Sequence, residues 1–517
     1  MPESRLKHSP LKIGQLIEDY RGGKIVIPEF QREYVWKKSK ASRLIDSLYK
    51  RFPISSLLLW TSTEYSQTRR RDPRPSRAAL LSWLIDGQQR VITLSRCMSG
   101  DEGIDLVFHP EDEEFRSVNA ATARDPNWFR LAEIWDDELY RNLRRNLPAG
   151  PKGESREARF EKVRGILDYE VPAVRMEEYS FENAVEAFTR INTLGVKLKR
   201  EDIESAHVAA RHTGFIADEV APFLEKLRHE GFTRLNVMHL FRACGFIAQP
   251  DGRNRTPLHE MDRREVQKAW DRTTRATREA IGLVRSELGL VNMDVLWSGA
   301  LLVPLIALCA ITEPRKRDAR GFVAWLSIAA LFHRYSKSTE STLDKDLRAC
   351  RADDPIGKLL TNVRREDRDI VALPEDFGGA LADKSGLLAM YVACHHRGVK
   401  DLFSGGKIVL QSHVDRHHIL PRAQFPERQQ ARADCIANIA FISGGANRSV
   451  GASAPDVYLA KLPRSVLESQ CIPTDESLWR IDRAKEFWDA RRGLLAEAFN
   501  EHLRDSLPNR RVEVPGA

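Results

Sequence analysis

The chain has 517 residues, 42% of them hydrophobic and 30% charged, with a net charge of +8. At roughly 100–200 residues per domain this length predicts several domains, and that apolar content excludes a disordered chain. The positive balance favours a polyanionic partner without naming one.

The opening MPESRLKHSP holds no apolar run of the kind a secretory signal needs, so the expected location is the cytoplasm. Residues 10–215 mix strand and helix patterns. Strands are expected at 24–27, 54–60 and 80–85, and a helix at 91–98. Loops are expected around Arg69, Arg70, Arg71, Arg74 and Arg77, and over the Pro- and Gly-rich 148–153.

Residues 216–395 are helical in pattern, with an Arg-rich amphipathic run over Arg263–Leu288 and apolar helices at 296–311 and 322–335. The stretch 295–311 is broken by Pro304 and falls short of the about 18 residues a bilayer span requires, so no membrane partner is expected. Residues 396–517 return to short strands and turns and end in a helix near 477–503. Seven cysteines, none in a C-x-x-C spacing, argue against a disulfide framework and against a zinc ribbon.

Two motifs in the first region are chemically loaded. One is Ile27 to Trp36, IPEFQREYVW; the other is Asp86-Gly87-Gln88-Gln89-Arg90, where a strand ends and a helix begins. A helix start offers unpaired N–H groups and a positive dipole end, which is a setting for phosphate. Gln88, Gln89 and Arg90 are expected to project there, with Gln31 and Arg32 converging and Glu29 or Asp86 available to Mg²⁺ on a triphosphate. The same junction also reads as a plain capped helix.

The third region holds a second constellation. A strand leads into Asp415-Arg416-His417-His418-Ile419-Leu420-Pro421; a second strand follows Asn438, and Asn447-Arg448 comes nine residues beyond Asn438. Phosphodiester hydrolysis needs a base, and neutral imidazole suits pH 7. It needs a divalent cation against the charge developing on phosphorus, and a side chain that fixes the tautomer of the base.

This pattern resembles the HNH, or ββα-metal, nuclease fingerprint. The resemblance implies His418 as general base, His417 as the metal-ligating residue before it, Asn438 as the middle asparagine that holds the base's other nitrogen, and Asn447 as the last metal ligand. Asp415, on the same strand face as His417, is an alternative ligand for Mg²⁺ or Mn²⁺. His417 stands where the commonest HNH form has Asp. Arg422 and Arg448 are assigned to DNA binding.

The two N-terminal motifs, with 188–198 (FTRINTLGVKL) and 334–347 (RYSKSTESTLDKDL), resemble the GmrSD-type restriction proteins. The stretch from Asn447 to Gly451 and the pair Tyr458-Leu459 resemble that family's HNH domain. The resemblance implies a multi-domain α+β chain: a ParB/sulfiredoxin-like domain at 10–215, a helical connector at 216–395 and an HNH domain at 396–517. It implies an antiphage endonuclease acting on double-stranded, modified or phage DNA, with a nucleoside triphosphate bound or hydrolysed, or the DNA mark read, by the N-terminal domain. Homo-oligomerisation is left open. The alternative is a nucleotide-regulated DNA-binding sensor whose HNH centre is silent.

Overall fold

The computed structural model describes residues 5–29, 31, 34–62, 81–100, 103–194, 200–249, 256–336, 339–363, 370–381, 385–406, 408, 414–443 and 454–508. The chain divides into two compact units, Met1–Ala221 and Pro222–Ala517.

The first unit is built on a mixed five-stranded sheet. Its order is Arg5–His8, Ala173–Glu177, Leu57–Ser62, Leu81–Asp86, Ile25–Val26. The central pair, Leu57–Ser62 and Leu81–Asp86, runs antiparallel with a register shift at Leu58/Leu59, and the flanking Ala173–Glu177 and Ile25–Val26 pair with them in parallel. Strands buried on both faces carry continuous apolar runs, which is why LLLW and WLI are legible in the sequence. Helices Ile13–Arg21, Lys38–Tyr49 and Gln88–Ser99 contribute Leu16, Ile45, Leu48, Val91 and Leu94 to one core with Leu59 and Leu84. A small antiparallel sheet, Glu114–Ser117, Leu106–His109 and Phe129–Arg130, packs Phe108 on Phe115 at 4.8 Å.

One expected loop holds only in its first half: 148–150 are irregular, and a helix begins at Pro151. Pro151 opens the helix Pro151–Arg164 at its first turn, where a missing N–H costs nothing, and Gly150 precedes it at φ 86°. Arg69 to Arg77 lie outside the described residues.

In the second unit, Arg263–Leu288 forms the expected amphipathic helix, burying Val266, Trp270, Ile281, Val284 and Leu288. The apolar 296–311 stretch is a 3₁₀ turn, Gly299–Leu302, leading into the helix Val303–Ile311 with Pro304 in its first turn. Ala319–Leu331 is buried on every face from Gly321 onward, the signature of a helix in the centre of a core. Asp346, with no exposure, accepts from Arg334 Nε at 2.5 Å and Nη2 at 2.6 Å and from Tyr335 Oη at 2.6 Å. A buried carboxylate is tolerated only when paired and bonded in this way. Among the described residues no helix is long and apolar enough to cross a membrane.

The C-terminal part of this unit carries an antiparallel hairpin, Val414–His418 with Ile439–Ser443, followed by Pro455–Leu459, Arg464–Ser469 and the long helix Ala484–Ser506. Ile419, Leu420, Phe425, Ala440 and Ile442 share a core with Tyr458, Leu467, Phe487 and Trp488.

Candidate functional site

The hairpin register pairs His418 with Ile439, His417 with Ala440 and Asp415 with Ile442. Side chains alternate across a strand, so Asp415 and His417 share one face, and Arg416 and His418 the other. His417 is buried, with its ring edge-on to Phe403 and Tyr458, each at 5.8 Å between centroids. His418 is more open, its side chain 28% exposed.

The imidazole of His418 is held by Asp434, with Nε2 2.9 Å from Oδ1. The other carboxylate oxygen, Oδ2, lies 3.0 Å from Arg422 Nη1. Sequence reasoning missed Asp434. It lies 16 residues beyond His418 on a separate segment, and neither a periodicity nor the fingerprint marks it.

Asn438 was expected to hold the ring of His418, and its geometry differs. Its side chain is fully buried, its Oδ1 accepts from Leu420 N at 2.9 Å, and its Nδ2 donates to Leu420 O and Ala433 O, both at 3.0 Å. It therefore braces the main chain that follows His418 and the main chain that precedes Asp434. A buried amide with four bonding sites is satisfied best by main-chain groups in such a turn.

The hairpin is supported from outside as well. Gln470 imitates a strand partner, with Oε1 accepting from Phe441 N at 3.1 Å and Nε2 donating to Phe441 O at 2.5 Å. Arg491, completely buried, donates to Ala437 O at 2.9 Å and Gln470 O at 3.1 Å. The Tyr458 hydroxyl donates to Ile419 O at 2.6 Å, and burial pushes its pKa up.

Asn447 and Arg448, expected as the last metal ligand and a DNA contact, lie outside the described residues. Among the described residues no group of three or more His, Cys, Asp or Glu side chains could hold a metal ion. The set on this face is one carboxylate, Asp415, and one imidazole, His417. Mg²⁺ is ordinarily held by one or two carboxylates with water and phosphate in its other positions, a description that fits Asp415 more closely than the buried imidazole of His417.

In the first unit, Gly87 makes the strand-to-helix turn at φ 100°, and a Cβ there would lie 2.2 Å from Leu57 Cδ2, so only glycine fits. The helix starts at Gln88 without a side-chain cap, its first backbone bonds being Arg90 N and Val91 N to Gly87 O. The N–H groups of the first turn ahead of those bonds have no partner inside the helix.

Arg90 does not project from this turn as expected. Its guanidinium donates to Ile54 O at 2.7 Å, Ser55 O at 2.8 Å and Ser56 O at 2.8 Å, and lies 3.3 Å from Asp86 Oδ2. With its side chain 12% exposed, it ties the turn to the loop before Leu57–Ser62, and burial lowers its pKa.

The glutamines are also inward. Gln31 Nε2 donates to Leu84 O at 2.9 Å and Ile85 O at 2.6 Å, and Gln89 Oε1 accepts from Val35 N at 2.9 Å. The two motifs are thus knitted together, with Gln88 buried beside them. Glu29, expected as a Mg²⁺ ligand, is 2% exposed and accepts from Gly214 N and Ala217 N, each at 2.9 Å. It caps the turn that leads into Phe215–Val220. Arg32 lies outside the described residues.

Residues 13–209 match the family described as the GmrSD restriction endonuclease, N-terminal domain. A search of curated proteins gives no match.

Proposed function

We propose that the chain, whose residues 13–209 match the family described as the GmrSD restriction endonuclease, N-terminal domain, is a divalent-metal-dependent DNA endonuclease of the HNH type, acting in antiphage restriction. The observation that carries this reading is the hairpin at Val414–His418 and Ile439–Ser443, which sets His418 at the end of a strand with its imidazole fixed by a carboxylate and its following turn braced by buried Asn438.

In the proposed reaction a water oxygen attacks phosphorus in line with the P–O3′ bond. His418 takes the proton of that water as the O–P bond forms, and the 3′ oxygen leaves as the P–O bond breaks, completed by a proton from solvent. Asp415 or His417, together with Asn447, would hold a Mg²⁺ or Mn²⁺ ion, which would stabilise the charge on the phosphate. Arg422, with its side chain 51% exposed, and Arg448 contact the DNA backbone.

The first unit is proposed to bind a nucleoside triphosphate at the start of the Gln88–Ser99 helix, or to read modified DNA. Main-chain N–H groups at the Gly87 turn supply the anion cradle. Gln31, Gln88, Gln89 and Arg90 build the frame of that cradle, with Asp86 at its rim, and Arg32 is proposed as a further anion contact.

The test is nicking of supercoiled plasmid and cleavage of modified and unmodified phage DNA, with Mg²⁺ or Mn²⁺ and with EDTA, each with and without a nucleoside triphosphate. Metal-dependent cutting supports the reading. Stoichiometric DNA binding with no cutting under any of these conditions identifies a sensor with a silent centre.

A further inference from the structure

The geometry points to Asp434 as the positioning residue of the nuclease site: its carboxylate, locked by Arg422, holds His418 in the tautomer that leaves Nδ1 bare to act as the base. This rests on the nuclease reading above and deepens it by naming the atom that takes the proton and the residue that selects it.

The contact between Asp434 Oδ1 and His418 Nε2 is 2.9 Å. A carboxylate has acceptors only, so the hydrogen in that contact belongs to Nε2. Neutral imidazole carries one N–H, so Nδ1 is then the lone-pair nitrogen. Arg422 Nη1, 3.0 Å from Oδ2, is a donor that keeps the carboxylate turned this way.

A surface ion pair is ordinarily worth little, because two long side chains must be ordered to make it. This array differs in its mounting. The main chain at Asp434 is fixed on both sides. Ala433 is buried and its carbonyl takes a bond from Asn438 Nδ2; Asp434 O accepts from Leu381 N at 2.9 Å; Cys435 bridges to Ala380. His418 closes a strand, and the next residue, Ile419, donates to Asn438 O at 2.8 Å. Two short side chains on anchored backbone meet with little entropy left to lose. The same asparagine braces the backbone of both, so one buried residue sets the base and its positioning group in register.

The array predicts how a near-isosteric change fails. In Asp434→Asn, Arg422 still donates, so the new amide turns its oxygen towards Arg422 and its NH₂ towards His418. Nε2 must then accept, the ring proton moves to Nδ1, and the base lone pair is lost. The expected loss is about 10²–10⁴ in kcat on plasmid DNA with Mg²⁺ or Mn²⁺. KM for DNA and the thermal unfolding midpoint should stay near wild type.

The second readout is independent of activity. In ¹⁵N-histidine-labelled full-length protein, with the His418 signals assigned by their loss in His418→Gln, the neutral ring of wild type should carry its proton on Nε2 and not on Nδ1. Asp434→Asn should show the reverse. A wild-type spectrum with the proton on Nδ1 overturns the proposal whether or not the variant folds. Asp434→Asn with wild-type kcat beside an inactive His418→Ala overturns the positioning role and leaves the nuclease reading standing. An active His418→Ala overturns both.

Discussion

Asn438 and Leu420 are joined twice: the asparagine Oδ1 accepts from the Leu420 N–H at 2.9 Å, and its Nδ2 donates to the Leu420 carbonyl at 3.0 Å. This pair turns the chain out of the Val414–His418 strand and back towards the Ile439–Ser443 strand. It thereby sets where the His418 ring stands.

Asn438→Ala removes both bonds and the third to Ala433 from a fully buried position. Main-chain groups are left without partners there, and the expected destabilisation is about 2–4 kcal/mol. Urea unfolding should show it, and cleavage should fall with it because the turn after His418 loosens. A variant with wild-type stability would mean that water replaces the amide at no cost.

Arg90→Ala should act first on stability. Three carbonyls of the Ile54 to Ser56 loop lose a common donor, for an expected cost of about 1–3 kcal/mol to the first unit. Arg90→Lys should not restore it, since an ammonium lacks the planar fork that reaches all three. Amide exchange at Ser55 and Ser56 should speed up, with weaker triphosphate binding as a consequence. Lower triphosphate affinity with unchanged stability and exchange would place Arg90 on the ligand instead of the loop.

The legible part of this molecule is what local pattern encodes. The runs LLLW and WLI are strands because burial on both faces demands continuous apolar residues, and the 26-residue helix Arg263–Leu288 follows its own periodicity. His417, His418 and Asn438 were visible because the hairpin that holds them is short in sequence. Asp434 was not, since its role exists only once the chain has folded back on His418. Glu29 carried the chemistry of a metal ligand in the sequence, yet its carboxylate is consumed by N–H groups 185 and 188 residues away. Arg90 misled for the same reason: a cation at a helix start attracts either a phosphate or the nearest carbonyls, and sequence does not rank them. Pro151 misled because proline both ends and begins helices.

Stability of the second unit should fall in mild acid. Burial pushes His239 down from 6.5 to about 4, and burial together with neighbouring His396 and His395 pushes His502 down from 6.5 to about 4. Both rings are neutral in the folded and unfolded states above the unfolded value, so neither affects stability there. As pH falls from 6.5 towards 4 the unfolded chain takes protons that the folded one refuses, and stability drops by roughly 1.4 kcal/mol per pH unit per histidine. Below 4 both states are protonated and the slope ends. Denaturant unfolding at pH 7, 6 and 5 should show the decline, and His239→Gln with His502→Gln should flatten it. Equal slopes in the wild type and the double variant would assign the acid sensitivity to other groups.

The most direct test of the central claim is the single-turnover cleavage rate of His418→Ala on supercoiled plasmid with Mg²⁺ or Mn²⁺, measured beside its DNA affinity and unfolding midpoint. The His418 side chain is 28% exposed, and in the alanine variant Asp434 keeps its contact with Arg422. The account predicts a folded protein that binds DNA as wild type does and cuts it about 10²–10⁴ times more slowly, the range for removal of a general base. A folded variant that cuts at the wild-type rate would contradict it.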